Sequence, residues 1–188
     1  MRKIFKIILA VFTTLIVLFV ALGALIFLDL AAYTANSVEN LSQIGTPIGT
    51  AVVLYDPGLS GASTKVAQQV AADLQTKNFT VTLAGIKSGV ASNTTSYEVI
   101  VIGGPIYAGA PTASVKDELS TLKQDAATRV GVFGSGQGAT TSEDVAQIKN
   151  AVPALKSGGA LSNAVVVKIG ESEDIAVRAA DFVTQLTG

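Results

Sequence analysis

Short apolar runs alternate with amphipathic stretches over most of the chain. Five runs have the length and the apolar or β-branched content of strands, at 51–55, 79–84, 98–102, 129–133 and 164–169. Between most of them, apolar residues recur at the spacing of a helix that buries one face. Strands that alternate with helices indicate right-handed βαβ units. The pattern therefore predicts an α/β domain of three layers, in which helices cover both faces of a doubly wound, five-stranded parallel sheet.

Four helices are predicted, at 63–76, 111–122, 142–151 and from the acidic run 171–174 to Leu186. Pro111 would lie in the first turn of its helix, where proline is tolerated. The acidic run would lie at the positive end of the last helix dipole. The polar segment 85–96 predicts a loop with at most a short helix.

The N-terminal region differs from the rest, because residues 7–28 are an uncharged, almost wholly apolar segment. As a helix it is long enough to span a hydrocarbon core of about 30 Å. A cleaved signal peptide is the alternative, although its apolar region usually has only about 7–15 residues. We therefore expect a retained transmembrane anchor over residues 1–29, a linker over 30–50 and a folded domain over 51–188.

The flanking charges indicate an orientation for this single-pass anchor. Arg2, Lys3 and Lys6 precede the apolar segment, whereas Asp29 and Glu39 follow it. The positive-inside rule then places the N-terminus in the cytoplasm and the domain outside. The whole chain has 13 basic and 14 acidic residues, a net charge of −1. This balance argues against nucleic acid as a partner, since a basic face would be expected.

The chain contains no histidine and no cysteine. A Ser-His-Asp triad, a thiol nucleophile and a zinc site with thiolate or imidazole ligands are therefore excluded, and no metal is expected. The remaining proton-transfer groups are carboxylates, lysines and tyrosines. Any redox chemistry is more easily supplied by a bound cofactor.

Unusual turns follow three of the predicted strands, and the carboxyl ends of parallel strands meet at one edge of a sheet. The first turn, 56–64, leads directly into a helix, whose N–H groups and nearby hydroxyls suit a phosphate. The donors would be Ser60, Ser63, Thr64 and the amides around Gly61. The alternative is a simple turn in which Ser63 caps the helix.

The second turn, 103–109, combines two glycines with Pro105 and Tyr107, which suits a planar ring beside the backbone. Its alternative is a turn in which Tyr107 only covers the core. The third, 134–138, is rich in glycine and could be no more than a flexible loop. The three turns together favour a ligand site at this edge.

Three segments resemble the flavodoxin family: VVLYDPGLSGASTKVAQQVAADL with the family's phosphate-binding turn, YEVIVIGGPIYAGAPTASVKDEL with its third strand and ring-contacting loop, and RVGVFGSGQGA with its third flavin loop. The resemblance implies a flavodoxin-like fold with strand order 2-1-3-4-5 and FMN as the cofactor. It places the FMN phosphate on Ser60, Gly61, Ala62, Ser63 and Thr64. It places one side of the isoalloxazine ring on Pro105, Ile106, Tyr107 and Ala108, and the other on Gly134, Ser135, Gly136 and Gln137.

The sequence departs from the family pattern at two points. The phosphate turn is two residues longer, with Asp56 and Pro57 inserted and Ala62 where the family has asparagine. The third loop has no aromatic residue and the chain has no tryptophan. Tyr107 is therefore the expected stacking partner, and weaker or more exposed flavin binding is expected.

The resemblance implies a membrane-anchored FMN protein that transfers electrons to a redox partner protein or a membrane quinone. Two alternatives stay open: a flavin-dependent quinone reductase, and a flavodoxin-fold interaction module without flavin. A receiver domain is disfavoured, because Gly103 and Gly104 stand where the phosphoacceptor aspartate would be. The predicted orientation conflicts with the usual cytoplasmic location of flavodoxin partners, so the side of the membrane stays open.

Overall fold

The predicted parallel strands form the centre of one sheet, which has seven strands among the described residues. The computed structural model describes residues 2–42 and 44–188, apart from the side chains at 2–5, 7, 8, 10 and 25–34. The strands are β1 (Val38–Asn40), β2 (Gly49–Tyr55), β3 (Phe79–Gly85), β4 (Val99–Tyr107), β5 (Ala110–Pro111), β6 (Arg129–Gly136) and β7 (Val165–Gly170). The helices are α1 (Arg2–Asn36), α2 (Ala62–Thr76), α3 (Ala113–Thr121), α4 (Ser142–Ala151) and α5 (Ile175–Thr187).

The chain divides into two compact units, Met1–Thr34 and Ala35–Gly188. In the first unit, the described large apolar side chains of α1 between Leu9 and Leu22 are exposed. Within the described part of the chain, no helix combines the length and the apolar character that crossing a membrane requires. The transmembrane anchor predicted over residues 1–29 falls partly on side chains outside the description and is not supported.

The sheet order is β1-β3-β2-β4-β6-β7, with β5 paired to the end of β4. Strands β3, β2, β4, β6 and β7 are parallel neighbours, which confirms the predicted order 2-1-3-4-5 for the five predicted strands. Strand β1 was not predicted. It lies in the segment 30–50, interpreted above as a linker, and pairs antiparallel with the edge strand β3.

Two apolar cores lie on the two faces of the sheet. On one face, α2 and α5 cover strand side chains such as Val53, Val101 and Phe133. On the other face, α3 and α4 cover Val52 and Ile102. The 86–98 connection on that face contains turns and no regular helix, in agreement with the loop predicted there. Burial on both faces explains why the central strands β2 and β4 have unbroken apolar runs.

Two strands continue beyond the ends that the sequence predicted. Strand β4 runs through the glycines to Tyr107 and β6 runs to Gly136, because the two strands still pair at Pro105 and Ser135. Strand β2 ends opposite Gly103, so that Pro105 removes no hydrogen bond from that side of the ladder. Pro111 belongs to β5 and not to the first turn of α3, which corrects the prediction.

Candidate functional site

A cleft of about 360 Å³ lies at the carboxyl ends of β2, β4 and β6. Its lining is Leu59, Ser60, Pro105, Ile106, Tyr107, Ala108, Ser135, Gly136, Gln137 and Glu171. All three predicted turns thus contribute to it. The other five predicted site residues do not line it: Gly61, Ala62, Ser63, Thr64 and Gly134. Two larger depressions, of about 390 and 480 Å³, lie elsewhere on the domain. Convergence of the turns, and not volume, therefore distinguishes this cleft.

The turn after β2 positions the start of α2 beside the cleft. Gly61 is the N-cap and has a φ of +73°, in the left-handed region that favours glycine. The hydroxyl of Ser60 accepts a hydrogen bond from the N–H of Ala62 at 3.3 Å. The next N–H groups, of Ser63 and Thr64, belong to the first turn and have no partner within the helix. They are the donors that an anion at this end of the cleft would use.

The side chain of Ser63 has a partner inside the protein and does not cap the helix. It is buried, and its Oγ lies 2.6 Å from Oγ of Ser135. It is not the helix cap, because Gly61 occupies that position. The pair joins the start of α2 to β6 across the base of the cleft. Both hydroxyls therefore hold the loops together.

Asp56 organises the same turn. Its carboxylate accepts hydrogen bonds from the N–H of Gly58 at 3.0 Å, from the hydroxyl of Thr112 at 2.9 Å and from the hydroxyl of Ser114. The last two donors lie at the start of α3, so Asp56 joins two neighbouring turns. The Asp-Pro-Gly sequence signals such a side-chain turn. No local sequence pattern predicts that Thr112 and Ser114 would donate to Asp56.

The turn after β4 is a two-residue hairpin that carries Tyr107 at the rim. Tyr107 pairs with Ala110, and the residues between them, Ala108 and Gly109, have φ values of +49° and +79°. Positive φ at both positions is typical of the type I′ hairpin turn. The side chain of Tyr107 is 50% exposed. Its ring is therefore open to a ligand and does not cover the core.

Three glycines expected near a ligand instead make room for neighbouring side chains. A Cβ on Gly103 would overlap the ring of Phe133. On Gly104 it would lie 2.8 Å from Cγ2 of Val115, and on Gly134 it would lie 2.5 Å from Cγ1 of Ile106. Their small size is required by packing. Gly134, which was predicted to approach the flavin, lies beneath Ile106.

A polar network holds the loop after β6. The N–H of Glu171 donates to the carbonyl of Gly136 at 2.8 Å. The hydroxyl of Thr140 lies 2.6 Å from both the carbonyl of Lys168 and a carboxylate oxygen of Glu173. The buried Lys168 forms an ion pair with Asp144, with Nζ and Oδ1 3.2 Å apart. The glycine-rich loop is therefore held at its two ends, by Gly136 and Thr140.

This network shifts the pKa of two carboxylates. Hydrogen bonds from Thr141, together with the nearby Lys168, lower the pKa of Asp144. For Glu173, burial acts to raise the pKa, but hydrogen bonds from Thr140 and the N–H of Gly170 outweigh it. The net result is a lowered pKa for Glu173. Both groups are held in the charged form that their donors require.

Glu171 is a residue of the candidate site that the sequence analysis missed. It follows β7 directly and lines the cleft. Its Oε1 accepts a hydrogen bond from the hydroxyl of Ser60 at 3.1 Å. Among the described lining residues it is the only charged one. Its place after a parallel strand, at the edge where ligands bind, is the signal that could have identified it.

Comparison with known proteins identifies the fold. No family model and no curated sequence matches the chain. Among solved structures, flavodoxin 2 from Bacillus cereus has a TM-score of 0.52 at 20% identity, with 73% of this chain and 97% of that chain covered. A short-chain flavodoxin associated with a non-canonical PDU bacterial microcompartment has a TM-score of 0.51 at 21% identity, with 73% and 95% covered.

A larger protein contains the same fold as one part. Rubredoxin oxygen:oxidoreductase from Desulfovibrio gigas gives a TM-score of 0.55 at 16% identity, with 75% of this chain aligned. The chain spans only 36% of that protein. At these identities the likeness establishes a flavodoxin-like fold.

Proposed function

We propose that the domain binds a flavin, with FMN as the expected form, and transfers electrons. The observation that carries this proposal is the convergence of the three turns on one cleft, with Tyr107 half exposed at its rim. The flavodoxin-like fold supports it, since open α/β sheets bind ligands at this edge.

The ring end of the cleft fits a planar ligand. Tyr107 presents one face of an aromatic ring beside the apolar Pro105 and Ile106. On the side of the third loop, a Cβ on Gly136 would meet no atom closer than 3.7 Å. Gly136, unlike Gly134, is therefore not filled by a neighbour and leaves room in the cleft. Tyr107 would stack on the ring, and Gly136 and Gln137 would face it from the β6 loop.

The phosphate end fits less completely. The first-turn amides of Ser63 and Thr64 point along the dipole of α2, which favours an anion. The hydroxyl of Ser60 donates to Glu171, however, and that of Ser63 pairs with Ser135. The phosphate would therefore be held mainly by backbone N–H groups.

A bound flavin supplies one- and two-electron transfer. The chain's own residues would orient it in the cleft. Leu59 and Tyr107 are exposed on the rim and would offer an apolar surface to the molecule that exchanges electrons. That molecule is proposed to be a redox partner protein or a membrane quinone. The experiment mixes reduced, flavin-loaded protein with a short-chain quinone or with a soluble electron acceptor protein. The acceptor that reoxidises the flavin faster indicates whether a quinone or a protein is the partner.

The proposal is tested by flavin titration of the full chain in detergent. We expect saturable quenching of FMN fluorescence at a stoichiometry of one. The Tyr107→Phe variant keeps the ring and should bind as the wild type does. A folded protein that neither carries nor takes up flavin would contradict the proposal.

One alternative has structural support, namely an interaction module that binds no flavin. The hydroxyls best placed to hold a phosphate already have partners within the protein, and Glu171 brings negative charge to that end. A normal circular dichroism spectrum together with no response to FMN or riboflavin would favour this alternative.

We further propose that α1 associates with a lipid bilayer. The support is its exposed apolar side chains, among them Phe12, Leu15 and Phe19. The basic residues Arg2, Lys3 and Lys6 would keep the N-terminus in the cytoplasm. Retention in the membrane pellet after alkaline carbonate extraction tests the association. Protease accessibility of the domain in sealed vesicles tests the side.

A further inference from the structure

We propose that Glu171 is a specificity-determining residue whose carboxylate disfavours binding of the phosphate of the ligand. The site would then take a flavin with an uncharged ribityl chain, that is riboflavin, about as well as FMN. This inference rests on the proposed flavin site and names the ligand class that the site accepts.

The first support is the position of the carboxylate. Oε1 of Glu171 accepts a hydrogen bond from the hydroxyl of Ser60 at 3.1 Å, and that hydroxyl accepts one from the N–H of Ala62 at 3.3 Å. The carboxylate is thus connected through one hydroxyl to the first amide of α2. An anion at a helix N-terminus is stabilised by the unpaired amides and the dipole. Glu171 therefore supplies from within the chain the charge that a phosphate would supply.

The second support is the way in which Glu171 is held. Its own N–H donates to the carbonyl of Gly136 at 2.8 Å, which fixes its backbone against the third loop. Gly136 and Ser60 both line the cleft. Glu171 is therefore bonded to both of the loops between which the ligand would lie.

The third support is the charge of the lining. The other described lining residues are neutral, so none of them compensates the carboxylate. A phosphate monoester carries a charge of about −1.5 to −2 at pH 7. Repulsion between two exposed unit charges about 4 Å apart in water weakens binding by roughly fivefold. The phosphate would also compete with Glu171 for the hydroxyl of Ser60. An uncharged ribityl chain meets neither cost.

The test measures affinities of FMN and riboflavin, by fluorescence quenching, for the full chain in detergent. In the wild type we expect the two dissociation constants to agree within about tenfold. The Glu171→Gln variant keeps the size of the side chain and removes its charge. We expect it to bind FMN about fivefold to tenfold more tightly and to change riboflavin binding by less than about twofold. The matched control is Glu39→Gln, on β1 at the far edge of the sheet, which changes the net charge equally and should alter neither affinity.

Two results would overturn the inference while leaving the proposed flavin site intact. One is a wild type that binds FMN more than about a hundredfold more tightly than riboflavin. The other is a Glu171→Gln variant whose preference for FMN is unchanged or reduced, which would mean that Glu171 orients Ser60 toward the phosphate. Failure of folded wild type and variants to bind either flavin would overturn the proposed function and the inference with it.

Discussion

The two halves of β4 show how one strand serves packing at one end and the candidate site at the other. From Val99 to Gly104 every residue is buried between the two helix layers, whereas Tyr107 and Ala108 are exposed at the tip. The glycines belong to the buried half. Gly103 leaves space for the ring of Phe133, and Gly104 leaves space for Val115 and Asp56. A glycine pair at a strand end therefore does not by itself identify a ligand site, and here the candidate site lies at the hairpin beyond it.

The largest expected effect comes from filling the space at Gly103. A Cβ there overlaps Phe133, and both residues lie in a close-packed core. We expect Gly103→Ala to lower the free energy of unfolding by about 2–3 kcal/mol, measured by urea denaturation. The same substitution at Gly136, where a Cβ would make ordinary contacts, should cost less than about 1 kcal/mol.

A double mutant sharpens that comparison. If Phe133 is the cause, Phe133→Leu should make Gly103→Ala less costly than it is in the wild type. Equal costs in the two backgrounds would show that the glycine is needed for another reason, and the division of β4 into two halves would lose its basis.

The exposed half is tested at Tyr107. Aromatic stacking on a planar ring contributes about 1–3 kcal/mol by alanine substitution in comparable sites. We therefore expect Tyr107→Ala to weaken FMN binding roughly 10- to 100-fold in a fluorescence titration. The free energy of unfolding should change by no more than about 0.5 kcal/mol, since the side chain is half exposed. A large loss of stability with unchanged affinity would reverse the roles assigned to the two halves.

The hairpin at the tip predicts a smaller effect of opposite sign. Ala108 has a φ of +49°, a region that costs an L-residue roughly 1–2 kcal/mol. Glycine at this position would remove that cost. Part of the gain in stability is offset, because glycine loses more conformational freedom than alanine on folding. Ala108→Gly should therefore raise the free energy of unfolding by about 0.5 kcal/mol. Destabilisation would show that the turn is not under conformational strain.

The smallest expected effect is on the pH dependence of stability. The pKa of Glu173 is lowered in the folded state, so its contribution is present above its ordinary pKa of 4.5 and is lost as the pH falls through the folded value. Glu173→Gln should therefore flatten the loss of stability on acidification below about pH 4.5. Urea denaturation at a series of pH values measures this slope.

Asp73 on α2 should change the pH dependence of stability in the opposite direction. Burial raises its pKa in the folded state, so its protonation favours folding as the pH falls. Asp73→Asn should remove this contribution and steepen the loss of stability on acidification. If both variants changed the slope in the same direction, the assignment of the two shifts would be wrong.

The sequence predicted the central sheet and missed its additions for one physical reason. The strands β2, β4, β6 and β7 contain short apolar runs and β3 alternates apolar residues with threonine, because helices bury these apolar side chains. The short strands β1 and β5 have no such run, since each adds only to an edge or a hairpin. Their existence depends on hydrogen bonds to residues distant in the chain or across a turn. No local pattern specifies such partners.

The candidate site shows the same limit. Turn residues predicted the three loops, and Ser60, Tyr107 and Gly136 of the predicted site line the cleft. Ser63, however, was expected to hold an anion or cap a helix, and it pairs instead with Ser135 in the interior. Glu171 was not expected in the site at all. A hydroxyl bonds to whichever polar group the fold places beside it, and for Ser63 that group lies 72 residues away in the sequence.

The alternation of strands and helices follows from the sequence alone, because apolar periodicity indicates which faces are buried, whatever packs against them. The sequence also placed glycines at three strand ends, together with proline at two of them. The tertiary structure alone decided which glycines serve packing, since that depends on Phe133, Val115 and Ile106 arriving from other elements. It alone placed Glu171 beside Ser60. Steric and electrostatic contacts act over a few ångströms in space, and distance along the chain does not specify them.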